Sequence, residues 1–182
     1  AHTGGVGLSA HARTGFAENA DCLPFVIFGG KCLSRNTDTM FDIIRELLNA
    51  FSFSDLPRVR TLLLEYRAGL ESRIVRSGHS LAMSLASRNF SKTRHLSEIW
   101  NGVHQLKAVK QWSDDLTEDN LRLLSRNLTA LGKGLFSGNP LKVALIGEEK
   151  TLTSVFSPLK ALEDRLGQQK GADGRFTPPE LH

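Results

Sequence analysis

Apolar residues recur at helical spacing along most of the chain. Runs that begin at Met40, Leu56, Leu96 and Leu121 repeat every three or four residues, as does a shorter run over residues 155–166. This spacing places apolar side chains on one side of a helix. It predicts five helices, which together cover about half of the chain, more than the usual third.

The second run is the longest and is interrupted once. Pro57 lies in its predicted first turn, where proline is tolerated. Gly78 breaks the pattern, and the apolar residues over 81–86 predict that the helix continues beyond it. The third run, over residues 96–109, predicts one uninterrupted helix.

Three shorter runs have the character of strands. Apolar and polar residues alternate over 5–13, residues 25–33 are rich in β-formers, and a third strand is predicted over 141–147. The first two are expected to pair. The predicted fold class is therefore α+β, a small antiparallel sheet with several helices packed on one face. The predicted core comprises Phe41, Ile44, Leu48, Leu63, Leu70 and Val143.

The opening glycines raise the question of a nucleotide site. The stretch "GVGLSA", from Gly5, fits the glycine spacing of a dinucleotide-binding turn. That turn needs a preceding strand and a following helix. Only four residues precede the motif, and the residues after it have period two. We therefore predict no cofactor-binding residue, and interpret the glycines as places where another backbone comes close.

The net charge of +4 is modest, but the cations are concentrated. Eight lysine and arginine residues lie between Arg58 and Arg94, opposed there by Glu65 and Glu71 alone. Such a run is typical of a solvated helix face, and it also suits an acidic partner. No nucleic-acid motif and no apolar run of membrane-spanning length is present, so neither nucleic acid nor membrane is predicted as a partner.

Residues with metal or catalytic chemistry are sparse. In "HLSEI" over residues 95–99, Ile99 stands where a helical zinc site needs its second histidine. Cys22 and Cys32 form no CxxC pair, and the paired acids fit caps or loops better than a catalytic dyad. We predict no catalytic residue, no metal ligand and no zinc in this chain, and no peptide cleavage by the isolated chain.

The order of the elements carries a resemblance. A strand with "TGGVGLSAHARTG" is followed by "FVIFGGKCLSRNTDTMFDIIRELL", a two-part helix with "SGH", and "SEIWNGVHQL". This succession resembles the insulinase/pitrilysin family of zinc metallopeptidases, and more narrowly its presequence protease branch. The likeness runs from about residue 3 to residue 166.

The resemblance implies a larger architecture. The family has four homologous α+β units in two halves around a closed chamber, with zinc on an H-x-x-E-H helix of the first unit. This chain resembles the third, non-catalytic unit, so no catalytic residue is carried over. The implied partners are the remaining domains of the parent and its unfolded peptide substrates. Zinc is implied for the full-length parent alone.

Domain limits complete these expectations. Residues 1–167 are expected to form the metallopeptidase-like domain, N-terminally truncated, and residues 168–182 a linker or tail. A truncated sheet edge predicts self-association of the fragment. The expected compartment is the cytoplasm or an organelle matrix. The alternative function is a free-standing helical interaction module that binds an acidic partner through its basic face.

Overall fold

The computed structural model describes residues 3–15, 22–49, 51–136 and 142–166. It is mostly helical (71%) with one two-stranded antiparallel sheet, which confirms the α+β class. The tail predicted at residues 168–182 lies outside the described residues. In chain order the elements are β1 (Val6–Thr14), β2 (Cys22–Gly30), α1 (Thr37–Asn49), α2 (Leu56–Ser87), α3 (Lys92–Asn101), α4 (Val103–Asp114), α5 (Glu118–Phe136), α6 (Glu149–Ser154) and α7 (Phe156–Leu166).

The described residues fall into two compact units. Unit 1 takes them from within Ala1–Leu8, Phe28–Phe53 and Arg126–Gly174, and unit 2 from within Ser9–Ile27 and Ser54–Ser125. Unit 1 therefore contains α1, α6 and α7, and unit 2 contains α2, α3 and α4. Within the described part of the chain, no helix is both long and apolar enough to cross a membrane.

The opening glycines belong to the sheet. The Gly4 amide donates to the Lys31 carbonyl at 2.8 Å, and Lys31 donates back to the Gly5 carbonyl at 3.3 Å. Gly5 has φ of 119°, a left-handed conformation that favours glycine. Farther along the hairpin, the rings of His11 and Phe25 stack with their centroids 5.7 Å apart. The two predicted strands are confirmed, with limits shifted by one to three residues.

The third predicted strand is wrong. Residues 142–147 have no strand structure, and the sheet comprises β1 and β2 alone among the described residues. Val143 is 45% exposed and Ile146 is fully exposed, so Val143 is not a core residue. An apolar run reads as a strand in sequence, but it becomes one only where another strand offers backbone donors and acceptors.

The long helix follows its prediction closely. Asp55 caps the start of α2 by accepting from the Arg58 amide at 2.9 Å, and Pro57 occupies the first turn. The interruption predicted at Gly78 is a kink at Ser77, whose φ of −140° and ψ of 32° are not helical. The helix then continues to Ser87, as the apolar residues beyond Gly78 predict.

The prediction of one helix over residues 96–109 is wrong, because α3 ends at Asn101 and α4 begins at Val103. Apolar spacing is preserved across the break, and periodicity alone cannot detect it. The break occurs at Gly102, which has an extended conformation. Its cause is a carboxylate that lies against the glycine, described below.

Unit 1 closes around an apolar cluster. Phe41 and Leu48 of α1 contact Val155 and Leu162, and all four are buried. Half-buried apolar side chains surround them: Phe28, Met40, Ile44, Phe136 and Leu159. The predicted core positions Phe41 and Leu48 are therefore confirmed. Ile44 packs at the edge of the cluster, and Leu63 and Leu70 of α2 are half-buried.

Candidate functional site

The polar residues singled out in sequence have different environments. His95 and Glu98 are buried on α3, whereas His79 is exposed on α2. Cys22 and Cys32 are free thiols, one at the start of β2 and the other just beyond its end. Within the described ranges, no three His, Cys, Asp or Glu side chains converge as they would around a metal ion. The structure therefore brings together only part of the "HLSEI" stretch, around Glu98.

Glu98 is the most completely buried polar residue described, with no exposed surface. One carboxylate oxygen, Oε2, accepts from the Ser84 hydroxyl of α2 at 2.5 Å. The other, Oε1, accepts from the Val103 amide at 2.7 Å and lies 3.3 Å from His104 Nδ1. One side chain therefore links α2, α3 and α4.

Gly102 makes this arrangement possible. A Cβ atom at residue 102 would lie 1.9 Å from Glu98 Oε2 and 2.3 Å from Oε1, far inside contact distance. The carboxylate therefore occupies the space that any side chain would need. From there it caps the first free amide of α4, a position that favours negative charge. The helix break and the buried acid are two parts of one structure.

His104 extends the network to Arg88. The Arg88 guanidinium lies 3.1 Å from His104 Nε2. Arginine can only donate, so Nε2 accepts and the proton of the neutral ring is on Nδ1. His104 then donates that proton to Glu98. The chain of contacts runs from Arg88 through His104 and Glu98 to Ser84, with every donor matched to an acceptor.

Glu98 is ionised at neutral pH. Burial acts to raise the pKa of Glu98, but hydrogen bonds from Ser84, Val103 and His104 outweigh it and hold the pKa below its usual value. Each bond has a charged acceptor, and such bonds are stronger than those between neutral groups. The site therefore stabilises a buried negative charge by direct donors.

The chemistry of this group is structural. Serine nucleophiles need the hydroxyl to face a histidine base, with the acid behind the histidine. Here Glu98 lies between Ser84 and His104, so the serine proton is directed at the carboxylate. No base faces Ser84 within this network. The arrangement positions helices and does not activate a nucleophile.

A second polar cluster fastens the other end of α4. Arg67 donates to Glu71 at 3.0 Å, to the Ser113 hydroxyl at 2.9 Å and to Asp114 at 2.7 Å. The hydrogen bond to Glu71 is the main cause of the raised pKa of Arg67, followed by that to Asp114. Lys110 adds a looser ion pair to Glu71 at 3.8 Å.

Together the two clusters make α4 a splint across the kink of α2. The Arg67 cluster joins the end of α4 to the part of α2 before Ser77. The Glu98 network joins the start of α4 to Ser84 and Arg88, beyond the kink. The kink angle is thus fixed from both sides by hydrogen bonds.

Sequence reasoning missed the roles of Glu98, Gly102 and Arg67. One signal was available: a glutamate four residues before a glycine inside an apolar helical run suggests a helix end with a polar cap. No comparable signal exists for Arg67, because its partners Ser113 and Asp114 are distant in sequence. Only the fold brings them together.

Comparison with known proteins identifies the family. Residues 1–112, more than half of the chain, match the model of a peptidase-associated family, the associated domain of subfamily C in the sixteenth family of metallopeptidases. The chain belongs to this family. The resemblance found in the sequence to presequence proteases of the insulinase group is thereby confirmed.

Relatives in this family are much longer proteins. The chain is 32% identical over 122 residues to the mitochondrial presequence protease of Danio rerio, which is 66% of the chain and 11% of the relative. It is 24% identical over 179 residues to presequence protease 1 of Arabidopsis thaliana, 96% of the chain and 16% of the relative. Protein HypA of Clostridium perfringens is 31% identical over 81 residues, 44% of the chain and 8% of the relative. The match is to a peptidase-associated, non-catalytic part of such proteins.

Proposed function

We propose that this chain is a structural domain of a peptide-degrading zinc metalloendopeptidase and helps to form the wall of its substrate chamber. The observation that carries the proposal is the family match over residues 1–112, in which Glu98, the one fully enclosed polar side chain among the described residues, holds helices together. The partners are the remaining domains of the parent, and the substrates are unfolded peptides.

A rigid set of helices supports this role. A chamber wall must keep its shape while peptides enter, bind and leave. In unit 2 the Glu98 network and the Arg67 cluster fix α4 to both parts of the kinked α2. Charge-assisted hydrogen bonds are directional, and they hold such an angle better than apolar contacts alone.

The donor set does not fit a zinc ion. Both Glu98 oxygens are engaged by Ser84, Val103 and His104, and no third metal-binding side chain converges there within the described residues. The zinc of the proposed metalloendopeptidase is then held by another part of the parent. That the chain corresponds to the third of four units stays a prediction.

A chimera tests the proposal. The segment of the Danio rerio presequence protease that aligns with this chain is replaced by the corresponding residues of the chain, and in a second protein it is deleted. We expect both to retain bound zinc. Only the chimera should cleave an unfolded peptide while leaving a stably folded protein intact.

Two results would contradict this role. The deletion protein could cleave peptides with the same rate and size selectivity as the chimera, in which case the segment is not part of a chamber. The isolated chain could cleave peptides when zinc is added, in which case it is not structural. A chimera carrying Glu98→Ala, compared with one carrying the exposed Glu65→Ala, shows whether the buried network matters to the assembled enzyme.

A further inference from the structure

The second part of α2 presents an unusual face to solvent. Residues 78, 81, 84 and 88 are buried or half-buried, so the positions between them point away from the packed side. Val75, Met83 and Phe90 on that outer side are 88%, 68% and 83% exposed. Ala82 and Ala86 lie between them and are also exposed. We name these five residues the apolar stripe.

Cations stand at both ends of this stripe. Arg73 and Arg76 lie beside Val75 at one end, and Lys92 and Arg94 follow Phe90 at the other, all four exposed. No acidic residue occurs over residues 72–97. The fifth cation of this region, Arg88, contacts His104 in the Glu98 network. The four end cations have no ion pair with any described residue.

The arrangement of charge points to a partner of finite length. About 16 residues separate Arg76 from Lys92, which at the rise of a helix is roughly 24 Å. Between them His79 is the only exposed side chain that titrates. Apolar area of this kind is covered in stable assemblies, and unpaired cations are complemented by carboxylates. A partner helix of about four turns matches this length.

We propose that the apolar stripe binds an amphipathic α-helix of another protein segment that carries carboxylates at both ends of its apolar face. The apolar centre is buried against Val75, Met83 and Phe90. The carboxylates at the two ends pair with Arg73 and Arg76 and with Lys92 and Arg94. This inference goes beyond the structural role proposed above and does not require that the chain stands alone.

Two other classes of partner fit the observations less well. A nucleic acid would satisfy the cations, but Phe90 is the one exposed aromatic residue of the stripe on which a base could stack. An anionic membrane favours cations along the whole border of an apolar face. Here the cations stand only at the ends, which matches discrete carboxylates better than a continuous charged surface.

Binding of designed peptides to the 182-residue chain tests the proposal by fluorescence anisotropy. The first peptide is an amphipathic helix of about 20 residues with two glutamates at each end of an apolar face. The second has the same composition with its glutamates at the centre, and the third has lysines in place of glutamates. We expect measurable binding of the first peptide, at least about tenfold weaker binding of the second, and none of the third.

Variants locate the site. The pairs Arg73→Glu with Arg76→Glu, and Lys92→Glu with Arg94→Glu, should each weaken binding of the first peptide about tenfold or more, as should Val75→Ser with Met83→Ser. The matched control, Lys150→Glu with Lys160→Glu, reverses two exposed cations of unit 1 and should leave binding unchanged. All substituted side chains are exposed, and circular dichroism verifies that each variant is folded.

The opposite results are equally clear. Equal binding of the first and second peptides, or equal weakening by the control pair, would mean that net charge alone governs binding and would overturn the proposal. No binding of the first peptide would do the same. Tighter binding of a single-stranded RNA of about the same length, or of vesicles containing phosphatidylserine, than of the first peptide would replace the helix by that partner.

Discussion

The interiors of the two units differ in kind. In unit 1 the buried cluster is wholly apolar, built from Phe41 and Leu48 with Val155 and Leu162. In unit 2 the most deeply buried side chains are Leu96 and Glu98, an apolar residue beside an ionised one. Unit 1 joins segments from distant parts of the chain, whereas α2, α3 and α4 of unit 2 are consecutive.

This difference teaches what each kind of contact can specify. Apolar burial is non-directional, so it brings distant segments together and tolerates many exact geometries. Hydrogen bonds to a buried charge are directional, and they fix where α3 ends and α4 begins. Removing part of an apolar cluster leaves a cavity, whereas removing Glu98 leaves donors without an acceptor.

The chain itself provides separate readouts for the units. Both tryptophans, Trp100 and Trp112, belong to unit 2. Tryptophan fluorescence therefore reports on unit 2, and hydrogen exchange of amides in α1 and α7 reports on unit 1. Far-ultraviolet circular dichroism follows both.

The largest effect is expected in the apolar cluster. Phe41→Ala should destabilise unit 1 by about 3–5 kcal/mol, since it removes buried ring surface and leaves a cavity between α1 and α7. The matched control is Phe156→Ala on α7, whose ring is 66% exposed and should cost little. Hydrogen exchange in α1 and α7 measures the difference. Equal, small effects of the two substitutions would mean that the cluster is not the core of unit 1.

Glu98→Ala should come next, with a loss of about 2–4 kcal/mol in unit 2. The substitution leaves the Ser84 hydroxyl, the Val103 amide and the His104 ring proton buried without their acceptor. Denaturant unfolding followed by tryptophan fluorescence measures this loss. Exposed Glu65→Ala on α2 is the control, and a similar response of the two variants would argue against the network.

Gly102→Ala sharpens the same test through non-additivity. Alone it should destabilise unit 2 by about 1–3 kcal/mol, because the new Cβ displaces the Glu98 carboxylate from the start of α4. In the Glu98→Ala background the obstacle is gone, and the same substitution should have almost no effect. A double-mutant cycle with tryptophan fluorescence measures the coupling. Additive effects would mean that carboxylate and glycine are independent.

A smaller effect is expected at a glycine of unit 1 that packs on an aromatic ring. A Cβ at Gly132 would lie 2.5 Å from Phe51 Cε2, and Phe51 also contacts the Phe136 ring at 5.8 Å between centroids. Gly132→Ala should therefore destabilise α5 by about 1 kcal/mol, despite the better helix propensity of alanine.

Gly134 is the matched control in the same helix. A Cβ there meets no other atom within 4 Å, so Gly134→Ala should stabilise α5 by up to about 1 kcal/mol. Thermal unfolding followed by circular dichroism compares the two variants. If both stabilise the chain, Phe51 yields to the added methyl group, and aromatic packing in unit 1 is looser than the distances imply.

The same comparison explains what the sequence could predict. Period and local signals suffice for α1, α2 and α5, because each depends on its own residues: Pro57 and the break near Gly78 are examples. Phe41 and Leu48 follow from helical spacing alone. These features depend on burial, which a pattern of apolar positions encodes directly.

Other features depend on partners that a pattern does not identify. Residues 142–147 have strand composition but lack a neighbouring strand, and their exposure follows. The break at Gly102 depends on where one carboxylate points, although apolar spacing continues through it. The family resemblance gave the correct family, but it did not assign a role to Glu98.

The smallest expected effect is a difference in acid sensitivity caused by Glu98. Its pKa in the folded chain lies below the usual value of 4.5, where it titrates in the unfolded chain. The stabilisation is therefore complete above about pH 4.5 and is lost progressively as the pH falls through the folded pKa, since the unfolded chain binds the proton first. Between about pH 5 and pH 3, the tryptophan-monitored stability of unit 2 should fall more steeply in the wild type than in Glu98→Gln. The amide variant keeps the size of the side chain and the titration of every other group, so the difference isolates this carboxyl. Parallel curves for the two proteins would mean that the donors around Glu98 favour its protonated and ionised forms equally, and the buried charge would then contribute nothing specific to unit 2.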